Sequence, residues 1–189
     1  LKSALTGERI ISVMSYTGQY LPDWRPQRDY RLSYSSKKEE GGGVLRDLSH
    51  ELDYLTWLCG RWKRITAIGG HYSSLEISGD DCWGVLFETD ACPLVSLQIN
   101  YLDRPGKREL VAVTDAHTYR LGFSAGTLTI DGEAERFEVP RDMTYMAQHR
   151  AVLERDFTTV CSAEEGTQIM RMIDAIERSN RIGAWIRNE

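Results

Sequence analysis

The chain has 189 residues, of which 41% are hydrophobic and 27% charged, with a formal net charge of -5. Such a mildly acidic balance leaves no electrostatic footprint for nucleic acid or an anionic membrane surface, and no apolar run approaches the roughly 20 residues of a membrane span. The length suits one domain of generous size.

Residues 1–7 read as the tail of a helix stopped by Gly7. The chain opens on Leu1 and goes at once into polar, helix-like residues, so it is expected to be a piece of a longer polypeptide. ERIISVMSYTGQY, 8–20, is β-branched and roughly alternating, which predicts a strand. LPDWRPQRDYRLSYSSKK, 21–38, carries two prolines, three arginines, a Trp and two tyrosines without periodicity, and predicts a long ordered loop.

A helix is predicted over 43–59, led by the glycines Gly41, Gly42 and Gly43. Strand-like pieces follow over 64–77, 81–90, 93–103, 107–115, 117–123, 126–132 and 134–140, each bounded by Gly, Asp or Pro. In VSLQINY, Val95, Leu97, Ile99 and Tyr101 share one face, and the Asp131-Gly132 pair signals a tight hairpin. Two helices close the chain, about 142–160 and 163–180, the second opening on the capping sequence Ser162-Ala-Glu-Glu165. The sum is an α+β domain: a large, mostly antiparallel sheet with helices packed on one face and an open face available for oligomerisation. The cysteines Cys59, Cys82, Cys92 and Cys161 form no C-x-x-C pair, which favours free buried thiols in a reducing cytoplasm.

At 100° per residue, Leu45, Leu48, Leu52, Leu55 and Cys59 form the core stripe of the 43–59 helix. Asp47, His50, Tyr54 and Trp57 lie on its opposite face, with Asp53 at the margin. The i, i+3 spacing places the Asp47 carboxylate beside the His50 imidazole, a side chain suited to proton transfer near neutrality. The alternatives are a surface Asp–His pair without function and a metal set of Asp47, His50 and Asp53. The metal set is disfavoured because Asp53 turns away from Asp47 and no second His is near. The glycines make no G-x-G-x-x-G; they suit close approach of a ligand or another backbone to a helix N-terminus, or a plain flexible turn. His71, His117 and His149 have no partner spacing that points to chemistry.

GGGVLRDLSHELDYLTWLCG resembles the signature of the C-terminal domain in the glucose–fructose oxidoreductase / inositol dehydrogenase / rhizopine catabolism (Gfo/Idh/MocA) family. Gly41–Gly43, Leu45, Asp47, His50, Asp53, Trp57, Leu58 and Gly60 carry the likeness. The tail SAEEGTQIMRMIDAIERSN is similar to the family's closing helix. The resemblance implies an NAD(P)-dependent oxidoreductase acting on a sugar, polyol or nucleotide sugar. NAD or NADP would be bound mainly by an N-terminal Rossmann domain with an EKP-like lysine, neither of which this chain contains, so the 189 residues alone are expected to be inactive. This domain would supply His50 and Asp47 for catalysis, Trp24, Arg25, Tyr34 and Tyr54 for the substrate, and Gly42 and Gly43 beside the cofactor. It would form a homodimer or homotetramer through its open sheet face.

Arg25, Arg28 and Arg31 would suit a substrate carboxylate or phosphate, or are ordinary surface charge; Trp24, Tyr30 and Tyr34 would stack on a sugar or pack the loop down. The Asp47–His50 spacing is three where family members often have four, which leaves the role of Asp47 open, while His50 and Asp53 keep the H-x-x-D spacing. Two rival readings are a non-enzymatic dimerisation module and a metal-dependent hydrolase or lyase.

Overall fold

The computed structural model describes residues 1–140, 142–158 and 160–188. Nine strands form one sheet: β1 (Ile10–Gly18), β2 (Trp62–Gly70), β3 (Cys82–Thr89), β4 (Leu94–Asn100), β5 (Lys107–Thr114), β6 (Thr118–Gly122), β7 (Thr127–Ile130), β8 (Glu133–Arg136) and β9 (Ile186–Arg187). Their order is β8-β7-β6-β5-β1-β4-β3-β2-β9. Every neighbouring pair is antiparallel except β1 and β4, which run parallel with Val13 beside Val95. The sheet is therefore no simple meander, because β1 inserts between two strands that follow one another in sequence.

The helices are α1 (Val44–Asp47), α2 (Ser49–Cys59), α3 (Met143–Glu154) and α4 (Ala163–Ile182). α2 and α4 cover one face of the sheet. That face presents Val13, Val85, Phe87, Val95, Leu97, Ile99, Leu110 and Ala112, all buried, as the period-2 alternation requires. α4 is built for the position. Ser162 and Glu165 close a capping box, Ile169, Met172, Ile173 and Ile176 form its buried stripe, and Gly183 ends it with φ 64. Its Asn180 exchanges hydrogen bonds with both backbone groups of Gly69, and Ser179 accepts one from Ala67 N, so the free edge of β2 is covered by side chains. The opposite face of the sheet leaves Met14, Ile68, Leu86 and Leu94 exposed, the first three around a shallow depression.

Several boundaries differ from those the residue pattern predicts, among them the strand predicted over 134–140, which ends at Arg136. Residues 1–7 form turns rather than a helix, tied by Leu5 N donating to Leu1 O. The strand predicted over 64–77 stops at Gly70, because the buried Asp81 carboxylate draws in the N–H groups of Tyr72 and Ser73 and curls the chain into a loop. The predicted 142–160 helix ends at Glu154, where Arg155 turns left-handed at φ 56; Thr159 lies outside the described residues. The 43–59 helix is broken at Leu48 (φ -101, ψ 24). The Asp131-Gly132 hairpin is made as predicted: both residues have positive φ, at 50° and 100°, and Ile130 pairs with Glu133.

Candidate active site

The site begins with the glycine triplet. Gly43 has φ 113, and a Cβ there would fall on the Asp80 carboxylate; a Cβ on Gly42 would fall on the Tyr34 carbonyl. The segments 34–35 and 79–80 thus press directly on the glycine backbone, with Gly79 so close that its own Cβ would lie 3.0 Å from the Gly43 Cα. Of the two uses open to these glycines, the structure shows approach by another stretch of the same chain. The anion at the start of α1 is also internal: Asp80 accepts from Leu45 N at 2.9 Å and from Trp83 Nε1 at 2.8 Å. The described residues contain no strand–glycine–helix turn of the dinucleotide-binding kind.

The break at Leu48 leaves the leucine stripe intact, with Leu45, Leu48, Leu52, Leu55 and Cys59 all buried. It also places Glu51 in that stripe, three residues after Leu48 and four before Leu55, with no exposed surface. Burial pushes the Glu51 carboxyl up. The nearby His50 imidazole, the Arg108 guanidinium and the Thr17 hydroxyl together more than offset that, and hold it below the ordinary value. Thr17 Oγ1 donates to Oε2 at 2.9 Å. Arg108 Nε lies 2.8 Å from Oε1, an ion pair whose N–H does not point along the contact. The Arg108 guanidinium stacks 4.3 Å from the centroid of Phe123, beside Tyr54.

His50 stands on this buried charge. Its side chain is 53% exposed, and its Nε2 lies 3.2 Å from Glu51 Oε1. The contact is one of proximity to charge and, like that of Arg108, not an aligned hydrogen bond; a proton on Nε2 would suit it and leave Nδ1 as the acceptor. An imidazole that reaches solvent beside a buried carboxylate is equipped to take a proton from a hydroxyl.

Asp47 does not pair with His50. Its Oδ2 accepts from the hydroxyl of Tyr101 at 2.6 Å, and Tyr101, fully buried, packs edge-on against Trp24 at 5.2 Å between centroids. Burial first, and the Asp47 carboxylate second, push the Tyr101 phenol far up. Asp47 thus ties α1 to the loop. Trp24, Arg25 and Tyr34 come together there around a pocket of about 360 Å³, with Arg28 and Tyr30. Tyr54 is not among its lining residues. Its hydroxyl is bonded to Ser15, its ring packs on Phe123, and burial pushes its phenol up.

Trp57 lies under the Lys2 ammonium and lines a second pocket of about 810 Å³ with Asp53, Arg61, Phe157 and Cys161. Asp47, His50 and Asp53 therefore face three different environments, and among the described residues no group of three His, Cys, Asp or Glu side chains is placed to hold a metal. Glu51 and Arg108 are the residues that the sequence pattern misses. The one local signal is an acidic residue at a position where the stripe calls for an apolar one.

The family model described as the GFO/IDH/MocA C-terminal domain matches residues 1–129. No curated protein matches the sequence. Among solved structures, levoglucosan dehydrogenase in complex with NADH and levoglucosan is similar at 14% identity and a TM-score of 0.82, over 98% of this chain and 60% of that one. The WlbA dehydrogenase from Bordetella pertussis, in complex with NADH and UDP-GlcNAcA, is similar at 22% identity and a TM-score of 0.74, over 100% of this chain and 58% of that one. GenD2 from gentamicin A biosynthesis, in complex with NAD, gives 16% identity and a TM-score of 0.77 over 100% and 58%. At these identities the likeness is one of fold. The chain spans 58% to 60% of the length of these three proteins.

Proposed function

The chain belongs to the GFO/IDH/MocA family as its C-terminal domain, and we propose that it is the substrate-binding and proton-transfer part of an NAD(P)-dependent oxidoreductase. Its substrate in this reading is a hydroxyl or carbonyl of a sugar, polyol or nucleotide sugar. The observation that carries the proposal is the half-exposed His50 imidazole seated on the buried Glu51 carboxylate. The named ligands of the structural neighbours, levoglucosan with NADH and UDP-GlcNAcA with NADH, support the substrate class.

His50 Nδ1 takes or returns the proton of the reacting hydroxyl, with the buried Glu51 carboxylate beside its Nε2. Asp47 is a positioning residue: through Tyr101 it steadies Trp24, and Trp24, Arg25 and Tyr34 contact the sugar. Tyr54 acts at one remove, packing the Arg108 and Phe123 wall behind Glu51. NAD or NADP is bound mainly by residues outside this chain, with Gly42 and Gly43 lying beside it.

The open sheet face with Met14, Ile68, Leu86 and Leu94 is covered by further copies of the chain in a homodimer or homotetramer. The four free thiols suit a reducing cytoplasm, and among the described residues no helix is long and apolar enough to cross a membrane.

The test is a panel of neutral and acidic sugars, polyols and nucleotide sugars, given to the full-length protein with NAD⁺ or NADP⁺. Sugar-dependent reduction of the nicotinamide is expected, and the 189 residues alone should neither bind NAD(H) nor turn over. Tight NAD(H) binding by the 189 residues, or no reduction with any member of the panel, contradicts the proposal.

A further inference from the structure

We propose that the loop pocket selects an anionic substrate, a sugar bearing a carboxylate or a phosphate, through Arg25 and Arg28. The inference rests on the reading of this pocket as a sugar site and adds the charge of the ligand. The loop carries three arginines, and the structure divides them.

Arg31 is already saturated. Its Nε and Nη2 donate to Asp29 at 2.9 and 2.7 Å, its Nη1 donates to Glu76 at 2.7 Å, and the two carboxylates raise its already high pKa further. It braces the loop against the 71–81 segment and has little left for a ligand.

Arg25 and Arg28 are arranged differently. The sequence Arg25-Pro26-Gln27-Arg28 closes a turn in which Arg28 N donates to Arg25 O at 2.9 Å. Proline at the second position presets that turn, and a turn of this kind holds its end residues within about 7 Å, so both guanidinium stems start from one side of the pocket. Among the described residues neither guanidinium has a carboxylate within 4.0 Å. Asp29 is the one carboxylate among the residues lining the pocket, and Arg31 holds it. The pocket therefore presents two guanidinium groups outside any ion pair, in a chain whose net charge is -5.

Guanidinium groups form paired, charge-assisted hydrogen bonds with the oxygens of a carboxylate or phosphate. Trp24, Tyr30 and Tyr34 supply aromatic walls for a sugar ring, and about 360 Å³ accommodates a monosaccharide with its charged group. A neutral sugar would fill the same walls and leave both arginines unanswered.

The test is titration calorimetry on the 189-residue chain with glucuronate, glucose 1-phosphate and glucose as probes, at low and moderate salt. One of the two anions should bind at least about tenfold more tightly than glucose, and added salt should narrow the gap. The anion that wins names the carboxylate or the phosphate as the group recognised. The double variant Arg25→Gln/Arg28→Gln, with its fold checked by circular dichroism, should bind that anion no better than it binds glucose. Equal binding of glucose and both anions, or anion binding unchanged in the double variant, overturns the inference and leaves the sugar reading standing. No binding of any probe by the wild-type chain overturns both.

Discussion

His50 and Glu51 are neighbours in sequence and opposites in exposure: the imidazole is 53% exposed, while the carboxylate 3.2 Å from its Nε2 has no exposed surface. Replacing Glu51 by Gln removes the charge beside His50 Nε2 and leaves Arg108 facing a neutral amide. Because Arg108 is itself about one third exposed, the expected loss of stability is about 2–4 kcal/mol, read by urea unfolding. The folded pKa of Glu51 is depressed, so its contribution is present above its ordinary value of 4.5 and is lost as pH falls through the lower folded value. The stability gap between wild type and Glu51→Gln should accordingly close in acid. A gap that stays constant into strong acid contradicts the ion-pair account.

Asp47 is assigned to Tyr101 rather than to His50, and a double-mutant cycle separates the two. Asp47→Asn and Tyr101→Phe should show a coupling of about 1.5–3 kcal/mol in unfolding free energy, the range for a hydrogen bond to a charged group. Asp47→Asn and His50→Ala should be additive in stability. Coupling to His50 with none to Tyr101 would restore the pairing that the i, i+3 spacing suggests.

The three glycines at 41–43 should respond unequally to alanine. Gly41 has φ 82 with nothing near its missing side chain, so Gly41→Ala should cost only the left-handed penalty of about 1–2 kcal/mol. Gly42→Ala and Gly43→Ala also drive a methyl into the Tyr34 carbonyl or the Asp80 carboxylate, and each should cost more, about 3 kcal/mol or above. Denaturant midpoints compare the three; equal losses would mean that the internal approach is not what demands glycine.

His117 and Asp131 form an ion pair across the β6–β7 hairpin, with Nδ1 2.6 Å from Oδ2. The hydrogen bond to Asp131 raises the His117 pKa, and the same bond lowers that of Asp131. The His117 contribution is therefore complete below its ordinary 6.5 and lost as pH rises through the higher folded value; that of Asp131 is complete above 3.8 and lost in acid. The melting-temperature difference between wild type and His117→Gln should be widest between these two values and vanish in base. A difference independent of pH contradicts the pairing.

Features of the fold that rest on local physics were legible in the residues. The Leu45–Cys59 stripe, the Ser162 capping box and the Asp131-Gly132 turn each depend on neighbours a few positions apart, and each formed as read. Features that rest on distant partners were not. Nothing near β1 announces that it runs parallel to β4, because strand pairing is decided by the whole sheet. Asp47 looked paired with His50 because both share a helix turn, but Tyr101 arrives from the end of β4 and takes its carboxylate. The burial of Glu51 was not legible, because Thr17 and Arg108, which make it tolerable, come from two other strands. The aromatic and guanidinium density of 21–38 correctly marked an ordered loop, yet which arginine is braced and which is free depends on Glu76, far along the chain.

The central claim is that His50 transfers the proton. Steady-state turnover of the full-length protein, measured for wild type and His50→Ala with the substrate found in the sugar panel, tests it most directly. The account predicts that turnover falls by about 100-fold or more while the domain's unfolding midpoint is kept, since a half-exposed imidazole contributes little to packing. Turnover within about threefold of wild type would remove His50 from the chemistry and contradict the account.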